Sequence, residues 1–133
     1  KNMPTISIEV RKKYATEQEI NLMNIVHKAL VSAFKIPEHD REIRLFVHEP
    51  HRFQCPLDKT HPEFFTQISI DCFAGRSIDA KRNLYREITK NLGDFGIPAD
   101  HILIVLREIP TENWGIRGGQ AACDVNLGFE INI

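Results

Sequence analysis

Polar and apolar residues alternate strictly from Thr5 to Val10 (TISIEV), which predicts a strand with one buried face. From Thr16 the period changes. Apolar side chains fall at positions 22, 23, 26, 29, 30, 33 and 34, a helical stripe, and Thr16 with Glu19 has the form of a capping box at its start. Pro37 predicts the end of that helix, and IRLFV at 43–47 reads as a second strand. The order then returns. QISIDCF at 67–73 predicts a strand and Ser77 an N-cap, and positions 84, 85, 88, 92 and 95 trace a second helical stripe that Gly93 and Gly96 end. ILIVL at 102–106 has the continuous apolar character of a buried strand. Pro37 in IPEH and Pro98 in IPAD stand about 61 residues apart, so the chain reads as two β-α-β units.

Each unit predicts two parallel strands joined by a crossover helix, giving an α+β fold: a four-stranded mixed sheet with two helices on one face. The bounds are about 4–49 for the first unit, 50–64 for a proline-rich connector, and 65–110 for the second unit, all within one domain. The tail at 113–133 carries the turn GIRGGQ and then short alternation in CDVNLGFEINI, the pattern of a terminal hairpin that pairs with a neighbour. Two helices cover one sheet face only, so a further copy of the chain is expected on the other.

Composition narrows the partners. With 17 basic and 18 acidic side chains the formal charge is −1, so no global positive field holds a nucleic acid or an anionic membrane. No apolar run approaches the ~20 residues of a membrane span, and KNMPTISIEV lacks a signal-peptide core, which predicts a cytoplasmic chain. Cys55, Cys72 and Cys123 form neither a disulfide framework nor a paired zinc spacing, which suits a reducing compartment.

MPTISIEV, IPEHDR, AGRSIDAKRNLY and PTENWGIRGG together resemble the tautomerase superfamily, over nearly the whole chain. That family is named for 4-oxalocrotonate tautomerase and includes malonate semialdehyde decarboxylase, the chloroacrylic acid dehalogenases and macrophage migration inhibitory factor. The resemblance implies a homotrimer, no cofactor, no metal, and a small carboxylate as substrate. It makes Pro4 an amino-terminal base once Met3 is removed; Lys1 and Asn2 are read as additions ahead of a natural Met3-Pro4 start. A proline at a chain start is a secondary amine, whereas one inside a chain is an amide without a basic lone pair. A free α-amino group titrates near ~8, and burial or nearby cations lower that value towards neutrality.

The same resemblance gives Arg76 the substrate carboxylate, placed just before a helix where a cation opposes the macrodipole. In the first unit Tyr14 stands at the matching place, so one kind of competent site per subunit is expected. Asp40, 36 residues after Pro4, orients water or assists proton transfer, and Arg41 adds positive potential. Trp114 walls the pocket, and Arg117 is a further carboxylate contact. Ala74 and Gly75 stand where the decarboxylase carries an additional arginine, which argues against that activity. His48, His51, Cys55 and His61 cluster loosely, but their spacing matches no four-ligand zinc pattern. The expected activity is keto-enol tautomerisation of a small acid. The rivals are decarboxylation, hydration or dehalogenation at the same residues, and a non-catalytic trimeric binding module.

Overall fold

A computed structural model describes residues 4–128 of the chain. Four strands form a mixed sheet: β1 (Thr5–Val10), β2 (Ile43–Val47), β3 (Thr66–Phe73) and β4 (Ile102–Ile109), in the order β2-β1-β3-β4. β1 and β2 are parallel across α1 (Thr16–Phe34), β3 and β4 are parallel across α2 (Ile78–Phe95), and the central pair β1/β3 is antiparallel. Two things follow from that pairing. The units repeat about an approximate twofold at the β1/β3 seam, and α1 and α2 run in opposite directions, so the end of α1 adjoins the start of α2.

The alternation in β1 does what its period requires. Ile6, Ile8 and Val10 are buried towards the helices, and Ile70 and Ile68 of β3 stand directly opposite Ile6 and Ile8. Leu22, Leu30 and Phe34 from α1 and Leu84, Ile88 and Leu92 from α2 close this layer with no exposure, each stabilising by roughly 1.5–3 kcal/mol. The other sheet face is open along its middle. There Glu9 meets His48 at 3.0 Å and Asp71 meets Arg107 at 2.6 Å, while Phe46 and Leu103 remain 43% and 46% exposed.

Four local details differ from the expectation. The N-cap of α1 is Ala15 rather than Thr16; alanine has no side-chain acceptor, so only the return half of a capping box is present, the Ala15 N–H donating to Gln18 Oε1 at 3.0 Å. Gly93 lies inside α2 and only Gly96, at φ 126°, ends it, since a single helical glycine costs only ~1 kcal/mol. β4 is half-exposed rather than buried because it is the sheet edge, and it runs on to Ile109. The tail hairpin is β5 (Gly115–Ile116) with β6 (Gln120–Ala121), earlier than expected. No strand follows it among the described residues; the remainder of the expected hairpin, 129–133, lies outside them, as do Lys1, Asn2 and Met3.

Candidate active site

The strand register brings three of the expected residues to one end of the sheet. Pro4 precedes β1 and is buried. Asp40 precedes β2, the parallel neighbour of β1, and Arg76 follows β3, its antiparallel neighbour, so all three segments meet where β1 begins. The backbone of Ile6 donates to Glu42 O at 3.0 Å, fixing the approach of the Asp40 segment to the start of β1. Asp40 and Arg76 are each only 6% exposed. Charged side chains are seldom so buried without a structural or chemical task.

Arg76 has a seat that sequence reasoning missed. Its guanidinium carbon lies 4.8 Å from the ring centroid of Phe34, the last residue of α1, and its Nη1 donates to Phe73 O at 3.2 Å. Because the helices are antiparallel, the electronegative end of α1 faces the same cation that the start of α2 opposes. Burial lowers the Arg76 pKa, with Cys72 and Glu108 acting in the other direction. Glu108 stands opposite Cys72 across β3/β4 and accepts from Lys81 at 2.8 Å. Burial pushes the Cys72 thiol up to about 11, partly countered by Arg76, which keeps it protonated and unreactive. The parity of Glu108 with Ile104 and Leu106 was the available sign that it faces the helices.

The other expected residues make bonds within the chain. Trp114 donates its indole N–H to Ile109 O at 3.0 Å and packs its ring 5.2 Å from Phe73, so that donor is taken. With Ile116, Ala122, Val125 and Leu127 these two aromatics anchor the tail over the site end of the sheet. Arg117, at φ 49°, donates to Asn126 O at 2.9 Å within the same tail. Arg41 is exposed and donates to Asn24 of α1. Ser77 caps α2 as expected, accepting from the Ala80 backbone at 3.1 Å.

The pseudo-equivalent end shows what the repeat did not keep. Moving by the 61-residue offset takes Pro4 to Phe65 and Asp40 to His101, while Tyr14 matches Arg76 by place, each directly preceding the N-cap of its helix, Ala15 or Ser77. Phe65 packs against Phe53 at 5.7 Å, Tyr14 against Phe95 at 5.4 Å, and Lys12 lies over both Tyr14 and Phe64. Burial pushes the Tyr14 phenol up to about 12. His101 is fully buried, accepting the His61 N–H at 3.0 Å on Nε2 and meeting Asp100 at 2.7 Å through Nδ1. This end is an aromatic plug closed by the connector, with neither amine nor guanidinium at the matching places. A groove of about 530 Å³ between the helices, lined by Ser32, Lys35, Arg86 and Lys90, includes none of Pro4, Asp40 or Arg76. Among the described residues no cluster of His, Cys, Asp or Glu is arranged to hold a metal ion.

A sequence profile of the family described as "tautomerase enzyme" matches residues 40–117. Among solved structures, FG41 malonate semialdehyde decarboxylase inhibited by 3-bromopropiolate is 26% identical, with a TM-score of 0.79 over 88% of this chain and 92% of that one. Native fused 4-OT is 18% identical, with a TM-score of 0.82 over 91% and 98%. N1, a member of the cis-3-chloroacrylic acid dehalogenase family, is 18% identical, with a TM-score of 0.76 over 88% and 82%.

Proposed function

The chain belongs to the tautomerase family, and from that premise we propose that it is a cofactor-independent tautomerase that moves a proton within a small enol or 2-oxo acid through an amino-terminal Pro4. The observation that carries this reading is the convergence of Pro4, Asp40 and Arg76, all buried, at one end of the sheet. In the chain that begins at Pro4 the ring nitrogen is a secondary amine. A buried secondary amine with a cation nearby is disfavoured in its charged form, which is the direction a general base at neutral pH requires. With Met3 attached the nitrogen is an amide and the base is gone.

The steps follow from those groups. Arg76 takes the substrate carboxylate and opposes the negative charge that develops on the enolate oxygen. Pro4 removes the enol hydroxyl proton and returns it to carbon, keeping the electron pair within the substrate. Asp40, close by, holds the transferring group or a water in line. Decarboxylation of a 3-oxo acid at the same residues is the second reading, favoured by the 26% identity to malonate semialdehyde decarboxylase. Like the fused 4-OT solved as an asymmetric trimer, the chain is proposed to form a homotrimer, with Phe46 and Leu103 on the open sheet face against other copies. Ketonisation of enol-phenylpyruvate and CO₂ release from a 3-oxo acid, assayed in parallel on chain beginning at Pro4, test the proposal. Ketonisation abolished by Pro4→Ala and by Arg76→Ala is the expected result. Activity surviving both changes refutes it.

A further inference from the structure

We infer that Phe34 is a positioning residue for Arg76: its ring, supplied by the first unit, sets the plane in which the second unit's guanidinium meets a substrate carboxylate. This deepens the proposed function and rests on it. The ring centroid lies 4.8 Å from Arg76 Cζ, Phe34 is fully buried, and Arg76 is 6% exposed. One side of the guanidinium is thereby covered by an aromatic face, and Nη1 is tied to Phe73 O at 3.2 Å. A fork held against an aromatic face and tied through Nη1 keeps little orientational freedom, which is what a bidentate contact requires.

The placement follows from the chain's repeat. α1 ends at Phe34 because Lys35 turns into the left-handed region at φ 56°, two residues before Pro37, and antiparallel helices bring that end beside the start of α2. Arg76 sits in the loop that leads to the Ser77 cap, so the ring and the cation approach from opposite units without either helix bending. Glu108 pairs with Lys81 at 2.8 Å and acts on Arg76 through space, whereas the Phe34 ring meets the cation directly.

The test uses the full chain and does not require a free Pro4 amine. Phenylpyruvate binding is measured by calorimetry, with its methyl ester as the neutral control, for wild type, Phe34→Leu, Phe34→Met and Arg76→Ala. A lost cation–π contact predicts a three- to thirty-fold weaker Kd for the acid in both Phe34 variants, with the ester changed less than twofold. The Arg76 Nε–H proton resonance of the apo protein is expected to lose an upfield ring-current shift in the same variants. A purely structural role for Phe34 moves acid and ester alike and overturns the inference. So does acid binding retained in both Phe34 variants while Arg76→Ala loses it. Unchanged acid binding in Arg76→Ala itself overturns the carboxylate role of Arg76, and the inference with it. Thermal melts identify a variant that has failed to fold, and the second substitution then decides.

Discussion

His101→Leu should destabilise the protein by about 2 kcal/mol without touching the proposed catalytic end. His101 is fully buried, and the His61 backbone N–H points at its Nε2 from 3.0 Å. A backbone N–H can only donate, so Nε2 carries the lone pair, and the ring proton sits on Nδ1, facing Asp100 at 2.7 Å. Leucine fills most of the volume but accepts nothing. The His61 N–H is then left without its partner in a partly buried place, which costs ~1–3 kcal/mol. Asp100, with a side chain 72% exposed, recovers its hydration and adds little. Equilibrium urea unfolding at one fixed protein concentration measures the change; a slope of ~2 kcal/mol per molar turns it into a midpoint lower by about 1 M. Amide exchange locates it. Phe64 and Phe65, whose N–H groups donate to His61 O and Pro62 O, should lose protection first. A change under ~0.5 kcal/mol with protection intact would refute the argument that this histidine latches the connector to the second unit.

Arg11 reaches across to the carbonyls of Phe53, Pro50 and Pro62, so Arg11→Ala should lower the midpoint by ~1–2 kcal/mol equivalent and expose 50–62 to limited proteolysis before the rest of the chain. Ser77→Ala removes the cap on Ala80 N and should cost about 1 kcal/mol in a thermal melt, whereas Thr16→Ala should cost less because Thr16 is not the N-cap. Tyr14 and Cys72 are held protonated by burial, to about 12 and about 11, so the unfolded chain loses these protons first. Their contribution to stability is complete below pH ~9 and is lost as pH rises to about 12, a decline that Tyr14→Phe should soften in melts against pH. The hydrogen bond from His101 holds the Asp100 carboxyl below the usual range, so its contribution is present above pH ~4 and fades on acidification, and Asp100→Asn should remove that part of the acid dependence.

The two β-α-β units were legible because period 2 and period 3.6 alternate cleanly along the chain, and the sheet follows from them. ILIVL misled because five apolar residues look alike at a sheet edge and in its middle; position in the sheet is decided by pairing, which composition does not encode. Thr16 misled by a single residue because Gln18 and Glu19 are adjacent and both suit a capping box. At the site, Pro4, Asp40 and Arg76 were individually visible, and the register shows them converging. Phe34 was not visible as part of it, since 42 residues of sequence separate it from Arg76 and only the antiparallel helix pairing joins them. Trp114 and Arg117 were visible as residues but not as bonds, because their partners, Ile109 O and Asn126 O, are backbone oxygens.

Labelling by 3-bromopropiolate, which inhibits FG41 malonate semialdehyde decarboxylase, reads out whether Pro4 is a nucleophilic amine beside Arg76. Two forms of the protein are compared, one starting at Pro4 and one keeping residues 1–3, and digestion followed by mass spectrometry reads the site of any adduct. One adduct on the Pro4 nitrogen of the first form, none on the second, and strong suppression by Arg76→Ala are expected. Equal labelling of both forms, or an adduct confined to Cys55 or Cys123, would contradict that reading of Pro4.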